Sequence, residues 1–147
     1  MYPSPLLLDR HFFSKVEINS NVDGDPKAIN DLNCQLEIGI DKTNPRHLQL
    51  VLKLKILSPK DKTATYTGEI HAVGIFRVHN NFPQEKAQGL VETHGASLLF
   101  AAIREILLLI TSRGPWPPVA LASFSFIKPK EEPQTQIAEK AEDAVNQ

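Results

Sequence analysis

Residues 94–126 read HGASLLFAAIREILLLITSRGPWPPVALASFSF, and the first half of that run decides the fold. Leu98, Leu99, Ala102, Ile103, Ile106, Leu109 and Ile110 recur at the i, i+3, i+4 spacing of a helix face, which predicts one helix over Ala96–Arg113. The residues between them are mostly apolar too: Phe100, Ala101, Leu107 and Leu108, with only Arg104 and Glu105 interrupting. A helix that is apolar nearly all round must be covered nearly all round. A small domain supplies cover on one side, so the pattern calls for a partner subunit on the other. The competing reading is an ordinary core helix in a monomer. Gly114 is placed for a left-handed cap, Pro115 forbids continuation, and Trp116, Pro117 and Pro118 make a stiff apolar loop.

Upstream of the helix, the period changes from 3.6 to 2. Phe12–Asn19 alternates, with Phe12, Ser14, Val16 and Ile18 on one face and Phe13, Lys15 and Glu17 on the other. Cys34–Asp41 alternates with Cys34, Leu36, Ile38 and Ile40 on one side. His47–Leu57 is the strongest strand, its Leu48, Leu50, Leu52, Leu54 and Ile56 forming an unbroken apolar face. Thr63–Val78 is a long strand in which Gly68 and Gly74 suggest a bend, a bulge or a close backbone approach. Short turns join the last three strands, whereas Asn19–Asn33 is a long surface loop of the kind that often carries function. The expected fold is α+β: a four-stranded antiparallel sheet covered on one face by the long apolar helix. Pro83–Glu92 predicts a short lead-in helix, with Gly95 allowing a break before the long one. Residues 1–7 are expected to be a disordered N-terminus, 8–127 the single domain, and 128–147 a charged flexible tail with at most one weak helix.

The charge balance, 16 Lys+Arg against 17 Asp+Glu, offers no basic face for nucleic acid and no polybasic membrane anchor. One cysteine, Cys34, allows no internal disulfide and fits a reducing compartment. The N-terminal apolar run Leu6–Leu8 is too short for a signal peptide, and Ala96–Ile110 is too short and too charged at Arg104-Glu105 to span a bilayer. A soluble cytoplasmic protein is the simplest expectation. The histidines at 11, 47, 71, 79 and 94 lie at no metal-ligand spacing. Asp23-Gly24-Asp25 lacks the later Glu of a calcium loop, and Leu99 stands where a nucleophile elbow at Ser97 needs glycine. With no phosphate-binding motif and no nucleophile–base pattern, the expectation is not an enzyme, and no metal or cofactor is called for. Arg104-Glu105 reads either as a paired or snorkelling couple on a narrow polar stripe or as an ion pair between subunits. Trp116 reads either as a plug over the core end or as an aromatic wall of an apolar binding groove.

Several short motifs, in order, carry a resemblance: Val73-Gly74-Ile75-Phe76, Ile103-Arg104-Glu105, Thr111-Ser112-Arg113-Gly114, Pro117, and Phe124-Ser125-Phe126. Together they resemble the SecB family of bacterial preprotein-export chaperones, over Leu8–Phe126 and more weakly before Thr65. The resemblance implies a homotetramer built as a dimer of dimers, with long helices between the sheets. Leu98, Ala102, Arg104, Glu105, Ile106 and Leu109 would then meet other subunits. It implies an ATP-independent holdase for unfolded preproteins. Their groove would be lined by the loop after the first strand and the segment after the long helix, with Phe12, Phe13, Val22, Ile29, Leu32, Trp116, Pro117, Val119 and Leu121 as contacts. It implies no cofactor, and a translocase partner, the ATPase SecA, docking at Glu17 and Glu69. Phe13 and Thr67 stand where the family has an acidic and an apolar residue, the chain is near neutral where familiar members are strongly acidic, and Ile127-Lys128-Pro129-Lys130 interrupts an apolar C-terminal helix. The alternative function is a dedicated SecB-like chaperone for a single partner such as an antitoxin, or an oligomeric adaptor.

Overall fold

Leu48, Leu50, Leu52, Leu54 and Ile56 point the same way from β3 (His47–Leu57), and none is more than 3% exposed. Each such side chain contributes about 1.5–3 kcal/mol on burial, so this one strand fixes which face of the sheet is the core. The structure, a computed structural model, describes residues 1–126; Ile127 and the tail expected at 128–147 lie outside the described residues. β1 (Leu6–Ser20), β2 (Asp31–Ile40), β3 and β4 (Tyr66–Val78) form one antiparallel sheet in the order β1-β4-β3-β2. β4 lays Phe76, Ala72 and Ile70 against Leu48, Leu52 and Leu54 on the core side. β1 and β2 are thus the two edges, and residues 21–30 between them must cross one end of the sheet. The crossing is pinned by backbone bonds from Asn21 N–H to Thr65 O (2.8 Å) and from Asp25 N–H to Thr63 O (2.8 Å). The Asn30 side-chain amide adds a bond to Tyr66 O (2.8 Å).

β1 departs from its expected form in two ways. It begins at Leu6, inside the stretch expected to be disordered, because Leu6 pairs with Val78 and is buried at the edge of the core. It also breaks alternation twice, at register shifts between Leu8 and Arg10 and between Phe13 and Lys15. A bulge adds one residue and reverses the facing of all that follow. Phe13 therefore packs on the core with Leu8 and Ile18, whereas Phe12 lies on the outer face under the Arg10 guanidinium, 5.1 Å from the ring centroid. The first bulge turns Asp9 toward Arg77, which grips it with two hydrogen bonds of 2.6 and 2.7 Å and holds its carboxyl below the usual range.

The helical region is one continuous run, Gln84–Thr111. It starts with a single 3-10 turn, Gln84–Lys86, then α1 (Ala87–Leu90), a π turn over Val91–Gly95, and α2 (Ala96–Thr111). Ala87, Val91, Ala96, Leu99, Ile103 and Leu107 all face the sheet, each 2% exposed or less. The step from Val91 to Ala96 is one residue longer than an α-helix allows, and the π turn absorbs it. Gly95 does not break the helix: its backbone is helical, and its missing side chain leaves room for the Phe76 ring, which a Cβ would approach to 3.1 Å. At 28 residues the run is long and apolar enough to cross a membrane by composition. The length argument against a span therefore fails for the helix as formed; in this fold it lies across a sheet.

The end of α2 also differs. No glycine adopts a positive φ, so Gly114 is not a left-handed cap. The helix instead tightens into i→i+3 bonds, Arg113 N–H to Ile110 O and Gly114 N–H to Thr111 O, both 3.1 Å. Gly114 is required because the Tyr66 hydroxyl lies where a Cβ would be. On the side away from the sheet, α2 exposes Leu98, Leu109 and Ile110 (47%, 62% and 38%), while Ala102 and Ile106 are half-buried. The inner face of β2 is also only partly covered, leaving Leu36 and Ile40 exposed.

Candidate functional site

One buried hydroxyl organises the end of the molecule where the crossing loop meets the segment after α2. Tyr66, 3% exposed, accepts a hydrogen bond from Trp116 N–H (3.0 Å), and its own proton is shared between Trp116 O (3.2 Å) and Thr111 O (3.3 Å). The Trp116 indole N–H then donates to Asn21 O (3.0 Å), tying the two walls together. Thr111, fully buried, donates to Leu107 O (2.7 Å) and accepts from Val119 N–H (2.9 Å). Arg104 reaches further along the same segment, to Leu121 O (2.8 Å) and the Ser123 hydroxyl (3.0 Å). Every buried polar side-chain atom among the described residues is satisfied.

Between these walls lies an open cavity of about 390 Å³. Ile29, Leu32, Pro117, Val119 and Leu121, all expected as groove residues, meet there. Sequence reasoning missed Pro26, Asn30, Thr65 and Phe124, which line it as well; Phe124 was within reach as an aromatic of the post-helix segment. Trp116 stands behind the cavity as the tie just described. Val22 belongs to the crossing loop but points to solvent, 94% exposed, and outside the lining. Phe13 packs on the core. Phe12 lies apart from the cavity: the bulge after Phe13 puts it on the opposite face of the sheet.

Glu17 and Glu69 do come together, as directly paired residues of β1 and β4 on the outer face. They are not a free acidic pair. Glu69 accepts from the His71 ring (2.7 Å) and from Lys15 (3.1 Å), and Lys15 also lies 3.8 Å from Glu17. The His71 and Lys15 bonds hold the Glu69 carboxyl down at about 2. Arg104 and Glu105 do not form a pair within the chain. The Arg104 guanidinium is spent on residues 121 and 123 of its own chain, and no ion pair joins it to Glu105 among the described residues. Among the described residues, no group of three or more His, Cys, Asp or Glu side chains is arranged to hold a metal ion.

The family model described as preprotein translocase subunit SecB matches residues 17–133. The chain belongs to the SecB family. That gives it a chaperone role in protein export, in a family of chaperones rather than enzymes. Among SecB relatives, the protein-export protein SecB of Psychrobacter arcticus is 25% identical over 107 residues, covering 73% of this chain and 72% of that one. The SecB of Saccharophagus degradans is 30% identical over 108 residues, covering 72% and 61%. Among solved structures, the Mycobacterium tuberculosis Rv1957 SecB-like chaperone, in complex with a ChAD peptide from the Rv1956 HigA1 antitoxin, superposes with a TM-score of 0.65 at 18% identity, covering 85% of this chain and 93% of that one. At that identity the likeness shows the SecB-like fold alone.

Proposed function

We propose that this SecB-family protein is an ATP-independent holdase of the bacterial cytoplasm. It binds unfolded preproteins in the cavity between the crossing loop and the segment after α2, and delivers them to the Sec translocase. The observation that supports this reading most directly is the convergence of Ile29, Leu32, Pro117, Val119 and Leu121 on one open, mostly apolar cavity. Unfolded chains offer apolar side chains and free backbone groups, and such a lining suits both. The working form is a homotetramer, a dimer of dimers. Leu98, Ala102, Ile106 and Leu109 meet other subunits, with Glu105 beside them, because the outward stripe of α2 is too apolar to be left to water. Glu17 and Glu69 remain the proposed docking pair for SecA.

The test is direct. A chemically denatured client, diluted into buffer with the protein and no nucleotide, should be held from aggregation at near-stoichiometric ratio and bound with micromolar or better affinity. Unchanged aggregation and no binding would refute the reading.

A second reading, a dedicated chaperone for a single partner such as an antitoxin, is favoured by one observation: hydrogen bonds from Lys15 and His71 already engage the Glu69 carboxylate that translocase docking would use. Pull-down from the native host separates the two. A broad spread of precursors supports general export, and one stoichiometric partner supports the dedicated role.

A further inference from the structure

Residues 119–126, Val-Ala-Leu-Ala-Ser-Phe-Ser-Phe, adopt no helix or strand, yet they are held on α2 by contacts of a particular kind. Thr111 accepts from the Val119 backbone N–H (2.9 Å), and Arg104 donates to the Leu121 backbone C=O (2.8 Å). One side chain reads an amide and the other a carbonyl, groups that every polypeptide carries whatever its sequence. Phe100, four residues before Arg104 on the same helix row, takes Phe124 and Phe126 edge-on, at ring centroid distances of 5.5 and 6.0 Å. Leu121 is 8% exposed, but Ala120, Ala122 and Phe124 are open to solvent. A segment outside the helix and sheet ladders, with most of its residues open to solvent, can open locally at low free energy.

We propose that Phe100, Arg104 and Thr111 form a subsite for an extended apolar polypeptide, and that residues 119–126 are its resident stand-in, displaced when a client binds. The inference rests on the holdase reading and extends its cavity: the wall formed by residues 119–126 gives way on binding, and the face of α2 beneath it supplies the side chains that grip the client backbone. Arg104 is then a client-binding residue, whose donors pass from Leu121 O and Ser123 Oγ to client carbonyls. The internal segment competes with clients, so the apparent affinity equals the intrinsic one multiplied by the fraction of molecules in which the subsite is open.

The experiment uses the full chain and one probe, fluorescein-labelled α-lactalbumin kept unfolded by reduction and carboxymethylation, followed by anisotropy. Phe124→Ala/Phe126→Ala, which loosens the stand-in and leaves Phe100, Arg104 and Thr111 in place, should bind the probe about fivefold more tightly or better than wild type, although it trims Phe124 from the closed cavity's lining. A synthetic peptide of residues 117–126 should compete with the probe on that variant. Arg104→Met loosens the segment as well but removes the carbonyl donor, and should show no such gain. Equal or weaker binding by the double variant would overturn the proposal and make the segment a groove wall, leaving the holdase reading standing. Binding by neither protein would overturn both. Hydrogen exchange on the wild type needs no variant: probe binding should speed exchange at Val119, whose amide loses Thr111, and unchanged or slower exchange across 119–124 would refute displacement.

Discussion

Gly114→Ala and Tyr66→Phe, alone and together, test why α2 ends as it does. A Cβ at position 114 would collide with the Tyr66 hydroxyl and lie 2.8 and 2.9 Å from Cζ and Cε1, so the ring must move. Forced repacking of this size costs about 1–3 kcal/mol. Tyr66→Phe removes the acceptor of Trp116 N–H and the donor shared by two carbonyls, in a site only 3% exposed. Buried groups left unpaired cost about 1–3 kcal/mol. The two losses must not add. In the Tyr66→Phe background the hydroxyl is gone, so the alanine methyl meets only the ring carbons, and Gly114→Ala should cost less by about 0.5–2 kcal/mol. A left-handed glycine cap would give a different result: alanine would cost about 1 kcal/mol in both backgrounds, since that penalty belongs to the backbone. Urea unfolding of the four proteins, followed by circular dichroism and by the single tryptophan, Trp116, measures the cycle. Protomer concentration is held fixed because association raises apparent stability. Additivity within about 0.3 kcal/mol, or a neutral Gly114→Ala, would refute the close-approach explanation.

Three further outcomes are expected. Ala102→Glu should place an unpaired charge in the proposed subunit interface and cost about 3–5 kcal/mol of association; light scattering after gel filtration should show smaller species, and an unchanged mass, or a wild type already monomeric at about 50 μM, would sink the interface. Glu69, its folded pKa lowered to about 2 by His71 first and Lys15 second, stabilises the fold when ionised. That contribution is complete above its ordinary value of 4.5 and is lost as pH falls toward 2, so the stability gap between wild type and Glu69→Gln should close across that window in urea titrations; a gap that ignores pH would count against the cluster. Phe12→Ser, on the outer face, should leave client affinity within about twofold, while Ile29→Ser, at an 82% exposed position lining the cavity, should weaken it about threefold or more. Equal losses from both would place the groove elsewhere.

Where the sequence repeats cleanly, the fold was legible from it. His47–Leu57 keeps strict alternation and is β3 to the residue. Leu98–Ile110 is so uniformly apolar that the helix could be read, but not its orientation: the sheet takes Leu99, Ile103 and Leu107, Phe124 and Phe126 pack on Phe100, and Leu98 and Leu109 point outward. In β1 the alternation is present but interrupted, and nothing local in Asp9 or Ser14 announces a bulge, because a bulge is settled by what the partner strand accepts. That is why Phe12 and Phe13 exchange faces relative to expectation. The groove was legible as two segments, the loop after β1 and the run after α2. Their tie was not: Tyr66, Thr111 and Trp116 are 45 to 50 residues apart in the Tyr66 bonds, and Trp116 is 95 residues from Asn21.

The glycines show the same limit from another side. Glycine serves two physical ends, a left-handed backbone and the absence of a side chain, and a sequence displays only the letter. Gly95 before a helix reads as a break and Gly114 after one as a cap, since both positions are where φ freedom is usually needed. Both instead have no positive φ and give up their Cβ to an aromatic ring, Phe76 in one case and Tyr66 in the other. Those rings come from β4, the strand on which the helix rests. The two glycines therefore make room for β4 rings against the helical run, near the start and just past the end of α2. The second of them lets Tyr66 reach Trp116, and through Trp116 the crossing loop. A residue that looked like punctuation thus holds together the two walls of the groove.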